Sequence, residues 1–112
     1  MSEPYSLIAE MLASRSIGAY LQAEDQLVIA RQGDPAWPNR GNSFWVTRLD
    51  DSWYLCTWVP VCYRLPSTSD IVELSSEFVD RGSHAQPEVP HDLVAKYGLS
   101  RLSDEEASNL FG

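Results

Sequence analysis

Apolar residues recur at two different periods along this 112-residue chain, and the switches between them mark out its elements. In residues 2–15, SEPYSLIAEMLASR, the side chains Leu7, Ile8, Met11 and Leu12 fall at helical spacing and predict an amphipathic helix. Ser2 is placed to cap it, Glu3 and Pro4 suit its first turn, and Gly18 is its expected stop. Residues 19–32 alternate weakly instead, with Leu27, Ile29 and Arg31 set against Val28 and Ala30. They predict two strands about a turn near Glu24 and Asp25, the alternative being a longer first helix followed by one strand over 26–32. Residues 33–42, GDPAWPNRGN, carry two Pro, two Gly and two Asn and read as loop.

The stretch 43–65, SFWVTRLDDSWYLCTWVPVCYRL, is the centre of the chain: it holds three of the four Trp, two of the five Tyr and both Cys. Two β-rich runs flank Asp50-Asp51-Ser52, which predicts a hairpin. Pairing Leu49 with Ser52, or Asp50 with Trp53, gives the same two faces, because strand side chains alternate. One face then carries Phe44, Val46, Arg48, Trp53, Leu55, Thr57 and Val59. The other carries Trp45, Thr47, Leu49, Tyr54, Cys56 and Trp58. Both are apolar, unlike a sheet with one wet face. Such a sheet is covered on both sides by helices and loops, or leaves its second face to a partner chain or a ligand.

Pro60 interrupts or edges this strand, and 61–65 continue extended with Tyr63 as anchor. From Asp70 the period returns to helical: Ile71, Val72, Leu74, Ser75, Phe78 and Val79 predict a helix over 70–81 with Gly82 after it, although IVELSSEFV also fits a strand. Pro90 opens a short helix through Tyr97 that Gly98 ends, and Ser103 with Glu106 forms a capping box for a last helix toward Phe111. The expected architecture is α+β, in a single globular domain over 1–112. A curved antiparallel sheet of about four strands (near 19–23, 26–32, 43–50 and 52–60) packs against the N-terminal helix and the 70–81 helix, with short C-terminal helices closing an end or edge.

Composition narrows the function classes. A formal charge of −8 disfavours nucleic acid and anionic membrane surfaces as partners. Residues 70–112 account for −6 of it, nine acids against three bases. No run approaches the roughly 18 apolar residues of a membrane span, and an N-terminus with Glu3 and Glu10 does not resemble a signal peptide, so a cytoplasmic location is expected. Two cysteines make no scaffold. In a reducing compartment Cys56 and Cys62 are expected as buried free thiols, with a disulfide across the Pro60 bend the conceivable alternative.

Catalytic and metal chemistry find no support in the motifs. The C-x5-C spacing matches no zinc pattern, the Gly are scattered singly, and nothing ties His84 or His91 to a cysteine. No cofactor, metal site or catalytic residue is therefore expected. Aromatic and guanidinium groups remain as candidates for binding: Trp37 and Arg40 on the Pro-stiffened loop, and Trp45, Tyr54 and Trp58 on the second hairpin face. The expected function is a small acidic protein-binding or regulatory module of non-catalytic kind with a partner of basic character. In type alone, with no motif carrying the likeness, it resembles the bacterial immunity proteins that cap basic toxins. Two alternatives stand beside it: a small-ligand binder or minor enzyme with a pocket between sheet and helix, and a homodimer paired through its aromatic sheet faces.

Overall fold

Side-chain parity in the strands decides which way the molecule packs. In the computed structural model, which describes residues 3–22, 25–31, 43–49, 51–57, 61–67, 69–82 and 88–111, six strands join edge to edge in chain order as one antiparallel meander. They are β1 (Ile17–Gln22), β2 (Gln26–Arg31), β3 (Ser43–Leu49), β4 (Ser52–Cys56), β5 (Cys62–Leu65) and β6 (Ser100–Arg101). Four helices complete the described fold: α1 (Glu3–Ala13), α2 (Asp70–Asp80), α3 (His91–Tyr97) and α4 (Asp104–Phe111).

The central hairpin closes with Leu49 opposite Ser52, one of the two expected registers, each of which leaves a two-residue loop. Asp51 takes the left-handed conformation at φ 64°, which aspartate tolerates better than most residues. The register delivers the two expected faces. Leu27, Ile29, Phe44, Val46, Trp53, Leu55, Tyr63 and Leu65 point to one side and form the main core with Tyr5, Ile8 and Leu12 of α1, Ile71, Leu74 and Phe78 of α2, and Leu93 of α3. The Phe44 and Phe78 rings meet at 5.0 Å between centroids, tying β3 to α2. On the other side Val28, Trp45, Cys56 and Cys62 form a smaller cluster under Ala107, with Tyr20, Tyr54, Leu102 and Leu110 packed around it. Helices thus cover both apolar faces.

The expected sheet of about four strands is corrected to six. Residues 62–65 do not merely run extended. They pair with β4, Leu55 opposite Tyr63 and Tyr54 opposite Arg64. β6 is a two-residue strand between two helices, too short to show any alternation, and exists because Tyr63 and Arg64 offer it an edge. The fourth strand ends at Cys56, and 58–60 lie outside the described residues.

The helices follow their sequence signals closely. Over 70–80 the buried set Ile71, Val72, Leu74, Ser75, Phe78 and Val79 keeps helical spacing, so the helix prevails over the strand alternative. α3 ends in a Schellman motif: Leu99 N–H donates to the Val94 carbonyl at 3.0 Å, Gly98 N–H to Ala95, and Gly98 sits at φ 62°. The capping box at α4 is formed both ways, Glu106 N–H to Ser103 Oγ at 3.2 Å and Ser103 N–H to Glu106 Oε1 at 3.1 Å. The expected cap Ser2 lies outside the described residues, and the end of α1 departs from the pattern. Gly18 lies inside β1, and Ser16, at φ 62°, makes the reversal after Ala13.

Candidate functional site

α1 carries two adjacent apolar stripes, and only one of them faces the core. Tyr5, Ile8 and Leu12 are buried at 5%, 4% and 0% exposure, whereas Leu7 and Met11 are 52% and 53% exposed. At 100° per residue the second pair lies roughly 100° round the helix from the first. Pro4, Leu7, Ile8 and Met11 form one wall of a cavity of about 460 Å³. Arg48 and Trp53 of the hairpin line its floor, and Ser69 with Val72 at the start of α2 close it.

Two contacts hold the walls in place. The Tyr5 and Trp53 rings meet edge to face at 5.3 Å, fixing α1 over the hairpin. Arg15, just past α1, is ion-paired to Glu73 on α2, and the guanidinium holds the Glu73 carboxyl below the usual range. The lining is apolar except for Ser69 and Arg48, and Arg48 pairs with Asp51 at 3.2 Å. Acids stand near its lining residues in the chain: Glu10 beside Met11, Asp51 in the turn beyond Arg48, Asp70 between Ser69 and Val72, and Glu73 after Val72. Four acids against Arg15 and Arg48 leave the surroundings of the cavity negative, in keeping with the whole chain.

The residues expected to bind are distributed differently. Trp45 is 1% exposed and belongs to the second-face cluster, so it presents no surface. Tyr54, its diagonal neighbour across β3 and β4, is half-buried and lines a smaller hollow of about 190 Å³ with Leu49, Leu102 and Leu110. Trp37, Arg40 and Trp58 lie outside the described residues. The structure brings Trp45 and Tyr54 onto one face and leaves neither at the larger cavity. Trp53, on the first of the two expected hairpin faces and not among the residues expected to bind, is the tryptophan found there. A signal for this site was present in the sequence: Tyr5, Ile8 and Leu12 already complete a core-facing stripe, so Leu7 and Met11 are surplus to it.

Titratable groups gather elsewhere. Glu77 on α2 accepts from Lys96 at 2.8 Å and from the Tyr97 hydroxyl, both on α3, and these bonds hold its carboxyl below the usual range. Burial, with the neighbouring Glu77 carboxylate, pushes Tyr97 up to about 12. Arg81 grips Asp92 through both carboxylate oxygens, joining the end of α2 to the start of α3. These are helix-to-helix ties. His91 is exposed, and His84 lies outside the described residues. Among the described residues no group of three His, Cys, Asp or Glu is placed to hold a metal, and no helix is long and apolar enough to cross a membrane.

No protein-family model, curated protein or solved structure matches the chain.

Proposed function

We propose that the chain is a non-catalytic binding module that docks a basic protein partner at the cavity between α1, the β3–β4 hairpin and α2. The observation that carries this reading is the exposure of Leu7 and Met11 at the mouth of an apolar cavity. A small ligand inside the cavity covers only the part of those two side chains that lines it, whereas a protein surface covers mouth and interior together. The ionisable group in the lining is Arg48, a guanidinium that keeps its proton and serves poorly as an acid or base. The partner's basic character follows from the four acids around the site and the chain's net charge of −8. Its docking segment therefore presents one large apolar side chain flanked by Lys or Arg.

A small apolar ligand is the second reading, favoured by a volume within the range of about 300–1,000 Å³ common to ligand pockets. Short peptides with a central Leu, Phe or Trp between basic residues, titrated into the labelled protein and followed by NMR, separate the two. Shifts confined to α1, Arg48 and the Trp53 indole, with binding weakened about tenfold by Leu7→Ser plus Met11→Ser, support the protein partner. Equal binding by peptides with acidic flanks, or no shifts at α1, overturns it. Exposed positions such as these two tolerate substitution with little change in stability, so lost binding reports the surface itself.

A further inference from the structure

The β4–β5 register sets Cys56 directly opposite Cys62. Antiparallel ladders alternate bonded and non-bonded pairs. Thr57 N–H donates to the Val61 carbonyl at 3.0 Å, so 57 and 61 are a bonded pair and 56 and 62, one step further in, are a non-bonded one. The other side of Cys62 agrees: its carbonyl faces away from β4 and accepts from Leu102 N–H at 2.9 Å. Non-bonded pairs bring Cα atoms to about 4.5 Å with side chains at their closest. That separation lies in the window of about 4.4–6.8 Å that a disulfide spans. Both thiols are free and buried, at 0% and 1% exposure.

We propose that Cys56 and Cys62 form an intramolecular disulfide across β4 and β5 by exchange with a small external disulfide of the glutathione type. Cys62 loses its proton to water, and its thiolate attacks one sulfur of the external disulfide. That S–S bond breaks, and one small thiolate leaves and is protonated. Cys56 then loses its proton and attacks the Cys62 sulfur of the mixed disulfide, expelling the second small thiolate. Two protein thiols are oxidised and one external disulfide is reduced to two thiols, with no other reactant. Cys62 acts first, because its neighbour Cys56 lowers it against the opposing effect of burial while Cys56 itself is raised.

Access is set by α4. The sulfurs lie under Ala107, with Leu102 and Leu110 beside them. A helix of eight residues resting on so small a cluster opens locally far more readily than the sheet beneath it. Exchange is therefore slow while α4 is docked and fast when it lifts.

The test uses the full chain incubated with oxidised glutathione, then denatured, alkylated and digested with trypsin. Arg48 and Arg64 bracket the pair, so one fragment, 49–64, carries both cysteines. The expected result is that fragment lighter by two hydrogens, without glutathione and without intermolecular cross-links. Ala107→Glu should speed the conversion several-fold, and Cys56→Ala, checked for folding by circular dichroism, should hold a lasting glutathione adduct on Cys62. A wild-type chain that keeps both thiols, retains glutathione, or cross-links between molecules overturns the proposal without reference to any variant.

Discussion

The Tyr5 hydroxyl occupies the place of a missing rung between β2 and β3, accepting from the Arg48 backbone N–H at 2.9 Å. Its own O–H donates to the Asp25 carbonyl at 3.4 Å. The ladder of these strands runs to Leu27 opposite Val46, and its continuation would put Asp25 opposite Arg48. The strands part before that pair bonds, and a phenol from α1 satisfies both groups. One side chain so joins the first helix to two strands, and its ring braces Trp53 at the floor of the cavity.

Tyr5→Phe keeps the ring and removes the bridge. It leaves the Arg48 N–H and the Asp25 carbonyl part-buried without that partner, and the expected loss is about 1–2 kcal/mol by urea denaturation. Amide exchange at Arg48 should accelerate. Unchanged exchange there would show that the hydroxyl adds nothing to the ladder.

Two left-handed positions predict opposite signs. Ser16 sits at φ 62°, where a side chain is strained by roughly 1–2 kcal/mol. Ser16→Gly relieves that strain against a cost of roughly 0.5–1 kcal/mol in unfolded-chain freedom, for a small net gain. Gly98 has the same φ, and a Cβ there meets Pro66 Cγ at 3.7 Å, an ordinary contact. Gly98→Ala is therefore destabilising through the backbone alone, by about 1 kcal/mol. Thermal melts of the two variants should move in opposite directions.

Ser103→Ala breaks the capping box of α4 and weakens that helix by about 1 kcal/mol. Because α4 covers the cysteines, the rate of thiol labelling in the native protein should rise about fivefold, the factor that 1 kcal/mol represents. An unchanged labelling rate would separate α4 from access to the cysteines.

The α2–α3 ties predict how stability responds to pH. Tyr97 is raised from 10.0 to about 12, so its contribution is complete below pH 10 and is lost as the pH climbs through about 12. Glu77 is lowered from 4.5, so its contribution is complete above that value and is lost as the pH falls through the folded-state pKa. Tyr97→Phe should flatten the alkaline limb of a denaturation midpoint plotted against pH, and Glu77→Gln the acid limb. The two residues share the Tyr97–Glu77 hydrogen bond, so the double variant should flatten both limbs with less than additive loss at neutral pH.

Part of this fold is settled by neighbouring residues among themselves. The helical stripe of 70–81, the capping box of Ser103 and Glu106, the Gly98 stop and the two faces of the central hairpin depend on side chains a few positions apart. Each appears in the fold where the pattern put it. The tertiary structure alone decided everything that needs distant segments to meet. β6 exists because β5 lends it an edge, and Trp45 is buried in a cluster that Ala107 reaches from 62 positions away. The cavity forms where α1, the hairpin and α2 converge, which turns Leu7 and Met11 from stripe residues into a rim. Periodicity shows that a residue has an apolar side to bury but does not name its neighbour. Which apolar surfaces find cover, and which stay open, is settled only when the sheet chooses the helices that pack on it.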